Sequence, residues 1–291
     1  MDVATTGRPA VHVPSAREQE RAAYRRRRSL RSLAIAATST AVVGVGSGWA
    51  VVESPGWPSV RRTFLDPDVA RKVLPDVASG LWLNVRLFVV VGTAMLALGL
   101  LVAVLRTLPG PVFWPLRALA GAYVDVFRGI PLLVLLYLIG YGVPGLRLQG
   151  VPTSVTVLGG VALTLSYSGY VAEVFRAGIE SVHPAQRAAA RSLGLTSGQS
   201  MRLVVLPQAV RRVVPPLLND LASLIKDTGL ISVLGVPLDA VRNAQIWQYT
   251  LFNYTPLVVA GVLFMLITIP MTRFTDRLSR RYGYTPGGGH L

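Results

Sequence analysis

The chain has 291 residues, 52% of them hydrophobic and 15% charged, with a formal net charge of +15. Soluble domains carry roughly 25% charged residues, so this deficit points to a membrane protein. The absence of cysteine excludes disulfides and thiolate chemistry, and the arginines flank apolar runs instead of forming one basic face, which argues against nucleic-acid binding.

Residues 1–32 are polar and end in "RRRRSLRS". They read as a basic cytoplasmic tail, disordered and held against anionic headgroups. The run at 33–52, "LAIAATSTAVVGVGSGWAVV", is long enough to span a bilayer, which takes about 20 residues. A secretory signal is the rival reading. The long segment before the run and the apolar chain after it favour an uncleaved span. Residues 53–79 hold prolines and mixed charges and read as an extracytoplasmic loop or short helix.

The second span covers 81–106, and "PGP" at 109–111 breaks the chain after it. A third span lies within 115–142, interrupted near "FRGIPLL". A fourth covers about 154–178, a fifth roughly 208–236 and a sixth roughly 254–274. Residues 282–291 read as a flexible tail. The predicted fold is therefore all-α, with about six transmembrane helices.

Arginine placement gives orientation. Six arginines lie in 21–31, Arg106 and Arg117 follow span two, and Arg176, Arg187, Arg191, Arg202, Arg211 and Arg212 lie around the connection from span four to span five. Arg273, Arg277, Arg280 and Arg281 end the chain. With six spans these fall on one side, so both termini are predicted to be cytoplasmic, as is the stretch at 188–207.

That stretch, "AAARSLGLTSGQSMRLVVLP", interrupts an otherwise apolar sequence. Pro184 suits a first helical turn. Ala188 to Ala190 favour helix, and Gly194 suits a left-handed cap. Thr196 and Gln199 have capping-box spacing for a second helix, and Pro207 marks the turn into the fifth span. A helix of about ten residues is too short to be stable alone, so it needs a docking surface. An amphipathic connector lying on the bilayer fits these residues equally well.

With Gly194 and "LVVLP" at 203–207, the stretch resembles the cytoplasmic signature loop of bacterial ABC importer permeases, in the branch that carries polar amino acids. Gln186, Ala189, Ala190, Gly194, Leu206 and Pro207 match, and Ala188 stands where the family has glutamate. The resemblance covers about 78–281 and includes "FRGIPLL", "YVAEVFRAGIESV", "LPQAVRRVVPPLLND" and "LIKDTGLISVLG", with Ile130 and Gly229 departing. It implies a permease domain at 80–281 whose helix near 184–194 is a coupling helix. It also implies ATP-binding cassette subunits, an extracytoplasmic solute-binding protein and a second permease as partners. The resemblance places the chain in the bacterial cytoplasmic membrane, beside lipids.

Asp125, Arg128, Glu173, Arg176, Asp220, Lys226 and Asp227 fall in or near apolar segments, where an unpaired charge is costly. Arg176 reads as snorkelling to the interface. Arg128 and Glu173 are candidates for a structural pair or gate. Asn219, Asp220, Lys226, Asp227 and Thr228 are candidates for the translocation path, and Tyr167 and Tyr170 fit either that path or packing. Neither lysine sits in a phosphate-binding loop. His12, His183 and His290 have no metal-ligand spacing. No cofactor or metal is expected, and ATP hydrolysis is assigned to another chain. A secondary transporter driven by ions or protons is the alternative, though the internal repeats common in such folds are not evident.

Overall fold

The computed structural model of the chain describes residues 15–108, 110–235 and 238–281. Helix α1 spans Ala16–Val52, α2 Trp57–Phe64 and α3 Pro67–Thr107. Helices α4 (Trp114–Gly129), α5 (Leu132–Gly145) and α6 (Val155–Glu180) follow. Then come α7 (Pro184–Ser192), α8 (Ser197–Ser200) and α9 (Leu206–Asp227), and finally α10 (Ala240–Leu251) and α11 (Thr255–Arg281). Among the described residues there is no strand.

Contacts divide the chain into two units, Met1–Arg61 and Arg62–Leu291. In the first, α1 runs unbroken from the basic segment into the apolar one, with Ile35, Val42, Val45 and Trp49 exposed. The expected disordered tail is thus corrected for residues 16–32, which are helical. Alanine and arginine are strong helix formers, and a helix nucleated by the span propagates into them. Residues 1–14 and the expected flexible tail at 282–291 lie outside the described residues.

The expected loop at 53–79 is also largely helical, because α3 begins at Pro67 and not near residue 81. The Asp66 carboxylate accepts from the backbone N–H groups of Asp68 and Val69, and Pro67 occupies the first turn where no N–H is needed. Pro75 interrupts the hydrogen bonding inside α3. Burial holds the helix together there: Val73 and Val77 pack with Ala240, Ala244 and Ala260. The 41 residues of α3 make a rod of about 60 Å at ~1.5 Å per residue.

Four described helices or helix pairs are long and apolar enough to cross a membrane. The pair α4–α5, bent by 105°, makes a fifth when taken as one span. The expected fifth span instead becomes α9 followed by a 3-10 turn over Thr228–Leu234. Arg211, Arg212, Asp220, Lys226 and Asp227 make α9 too polar to qualify by composition.

In the second unit α6 is the hub, packed against α3, α4, α5 and α9. Met95, Leu136, Leu163, Val171, Leu224 and Ile231 are buried in this core. Helix α10 is fastened to the first half of α3. The Ala240 N–H donates to Asn84 Oδ1 at 3.0 Å, and the Trp247 indole donates to Asp76 Oδ2 at 2.8 Å. Gly80 makes this approach possible, since a Cβ there would lie 2.6 Å from Ala240 N. That neighbour is backbone and cannot yield cheaply. Gly80→Ala is therefore expected to destabilise the fold by about 1–3 kcal/mol, the usual cost of overpacking. A lowered melting temperature in detergent, with membrane insertion retained, would report it.

Candidate functional site

Two places concentrate unusual chemistry. The first is the break between α4 and α5. The residue before a proline is driven to extended backbone, and Ile130, before Pro131, has φ −82° and ψ 127°. The helix cannot continue, and the chain turns through 105°. Beside the turn lies a cavity of about 340 Å³, lined by Arg128 and Ile130 from the break, Tyr167 and Tyr170 from α6, and Asp220 and Asp227 from α9.

The cavity's polar groups are held in place. Tyr167 donates its hydroxyl to Asp227 Oδ2 at 2.7 Å. The Arg128 guanidinium sits 5.4 Å from the Tyr170 ring centroid, close enough for a cation–π contact. Asp220 Oδ2 is buried and has no hydrogen-bond partner among the described residues. A buried carboxylate oxygen without a partner is costly, so the arrangement leaves this acceptor to be satisfied.

The sequence candidates separate by helical phase. Asp220 and Asp227 are seven residues apart and share one face of α9, towards the cavity. Asn219 and Lys226 share the neighbouring face, which is exposed, and do not line the cavity. Thr228 is buried, with its hydroxyl donating to Ile225 O at 2.7 Å. Arg128 lines the cavity, whereas Glu173 does not. Glu173 joins two helices, accepting from Arg106 of α3 at 2.8 Å and from Arg176. Arg176 also pairs with Glu180. Arg176, expected to snorkel to the interface, thus has two carboxylates of its own helix within reach, at i−3 and i+4.

The second place is the segment 183–207. His183 Nδ1 accepts from the Ala185 N–H, and Pro184 opens α7. At the other end Gly194 has φ +80°. The Gly194 N–H donates to Arg191 O and the Leu195 N–H to Ala190 O, a Schellman ending. The capping box of Thr196 and Gln199 forms in both directions. Pro207 does not sit at a turn as expected. A π-helical turn over Met201–Val205 leads directly into α9, widening the helix where the proline ring would meet the carbonyl four residues before it.

One side of α7 is turned to its own chain and the other is free. Ala190 is buried and Arg187 half-buried. Gln186, Ala188 and Ala189 are exposed, and Leu193 is 82% exposed. Gln186, Ala189 and Leu193, at spacings of three and four, form one outward stripe. Leu206 is also exposed. The sequence reading passed over Leu193, although a leucine next to a left-handed glycine at a helix end is a detectable sign of a projecting side chain.

Residues 95–284 match the family described as the binding-protein-dependent transport system inner membrane component. The chain belongs to this family. It is the permease subunit of an ABC importer, and the secondary-transporter alternative is set aside. Members of this family are transport permeases that work with ATPase and solute-binding partners, and ATP hydrolysis belongs to a separate subunit. The permease is 38% identical over 187 residues to the probable glutamine ABC transporter permease GlnM of Bacillus subtilis strain 168, covering 63% of this chain and 82% of that protein. It is 30% identical over 209 residues to the arginine transport system permease ArtQ of the same organism, covering 72% and 93%. The crystal structure of an amino acid ABC transporter with histidines superposes with a TM-score of 0.66 at 33% identity, covering 72% of this chain and 95% of that one.

Proposed function

We propose that this permease imports a polar amino acid with a neutral-amide or cationic side chain, handed over by an extracytoplasmic binding protein. The cavity at the α4–α5 break is the observation that carries the reading. Its two carboxylates suit an ammonium group and its guanidinium suits a carboxylate, each as a charge-assisted hydrogen bond. One arginine against two aspartates leaves an acidic surplus, which favours a donor-bearing side chain and disfavours an acidic one. The permeases named for glutamine and arginine among its relatives agree with that chemistry.

In this reading α7 is the coupling helix, with the stripe Gln186–Ala189–Leu193 seated in a groove of the ATPase and Leu206 and Pro207 framing the return to α9. Small side chains around one projecting leucine permit close approach. With α9 and the turn after it crossing as a polar sixth span enclosed by other helices, both termini are cytoplasmic and α7 lies on the side where ATP is available; a second permease completes the pathway. Lipids cover the exposed apolar face of α1.

The direct test is uptake in vesicles. The permease, reconstituted with its ATPase and binding protein, should accumulate radiolabelled glutamine or arginine only when ATP is supplied to the α7 side. Uptake driven by an ion gradient without the ATPase would defeat the reading. Reporter fusions at residues 20 and 285 should both report the cytoplasm, and an external signal from either would reverse the topology.

A further inference from the structure

We propose that Arg187 and Arg212 are positioning residues that clamp the end of α6 to α7 and α9, so that displacement of the coupling helix is delivered to the wall of the cavity. The inference rests on the reading of α7 as the coupling helix.

The last turn of any helix leaves carbonyl oxygens without intrahelical partners. At the end of α6 two arginines from different elements donate to such oxygens, and the Ile179 carbonyl also accepts from the Val182 N–H at 3.5 Å. Arg187, on α7, donates through Nη2 to Ile179 O. Arg212, on α9, donates through Nη1 to Ser181 O. A guanidinium also suits this end of a helix electrostatically, since the helix dipole concentrates negative charge there. Beside the clamp, α9 lies against α6 through Val213, which packs over Gly178.

The covalent link from α6 to α7 is only Ser181, Val182 and His183. Each residue of such a link has two soft dihedral angles, so the backbone alone would act as a hinge and absorb a push on α7. Buried Val182 and the two arginines remove that freedom. Arg187 Nε has no partner among the described residues, so a single bond holds this guanidinium to α6 and no wider network fixes it. Helix α6 in turn carries Tyr167 and Tyr170 into the cavity. A shift of α7 thus reaches the group that orients Asp227.

The chemistry predicts which substitutions matter. Methionine keeps much of the apolar stem of arginine and removes every donor. Lysine keeps a donor and the charge. In reconstituted vesicles the double variant Arg187→Met, Arg212→Met should hydrolyse more ATP per substrate imported. The expected rise is about five-fold or more, the lower end of typical coupling strengths. The lysine pair should return the ratio towards that of the unaltered protein. Spin labels at Ala188 on α7 and Val161 on α6 give a second readout, independent of uptake. Nucleotide should change the distance between α7 and α6 in the methionine variant and leave it nearly fixed in the unaltered permease.

An unchanged ATP-to-substrate ratio together with an unchanged label distance in a folded methionine variant would overturn the clamp. So would failure of the lysine pair to restore a raised ratio. If the double variant does not fold, each single methionine variant is measured against the same two criteria. The unaltered protein separates this idea from the one beneath it: ATP-driven uptake there upholds the importer reading whatever the variants do, and its absence counts against that reading and the clamp together.

Discussion

Gly194→Val is expected to insert and fold as a permease yet lose ATP-driven uptake by about ten-fold or more, because a side-chain-bearing residue in the left-handed region costs ~1–2 kcal/mol and a β-branched one fits it worse. Gly194 ends α7 at φ +80°, and both Schellman bonds depend on that turn. An added Cβ would meet nothing within 4 Å in the isolated chain. The penalty thus comes from the backbone and, with α7 docked on the ATPase as proposed, from the space beside Leu193. Two variants separate these causes. Asparagine tolerates left-handed backbone, so Gly194→Asn should retain more uptake than Gly194→Val if the turn is what matters. If both lose uptake and both lose the copurifying ATPase, the contact surface dominates. Normal coupled uptake by Gly194→Val would remove α7 from the proposed role.

Local chemistry made this segment legible. Pro184, Gly194 and the Thr196–Gln199 pair each impose a backbone geometry within a few residues, and each forms as the sequence suggests. The break at Ile130–Pro131 was legible for the same reason. The helicity of 16–32 and 67–80 was not. In the first case a mobile tail and a helix extending a span have the same composition. In the second, Pro75 reads as a breaker, and only the distant partners Ala240, Ala244 and Ala260 explain why α3 survives it.

The cavity falls between these cases. Helical phase alone groups Asp220 with Asp227 and separates both from Asn219 and Lys226. That grouping could have been read from the sequence had the start of α9 been known. The partnership of Tyr167 with Asp227 could not, because 60 residues separate them and only tertiary packing brings them together. The roles of Arg187 and Arg212 are hidden for another reason: in sequence they belong to a general excess of arginine around the connection from α6 to α9. Nothing local distinguishes a guanidinium that caps a helix from one that faces water or headgroups.

Substrate preference should follow from the unpaired oxygen of Asp220. Asp220→Asn keeps the side chain's size and removes its charge, so the cavity retains its shape while losing the acidic surplus. Hydrogen bonds to charged groups contribute about 1.5–3 kcal/mol, so affinity for a cationic amino acid should fall by roughly ten-fold or more. Glutamine, whose amide both donates and accepts, should lose much less, because the new asparagine pairs with it in either sense. The binding protein imposes its own selectivity, so the comparison belongs in the purified permease–ATPase complex without it. Direct titration with arginine and with glutamine there reads the cavity alone. An equal loss for both ligands would mean that Asp220 only supports the fold of α9, and unchanged binding of both would place the substrate elsewhere. A selective loss of arginine would tie the orphaned carboxylate at the helix break to the side chain being carried.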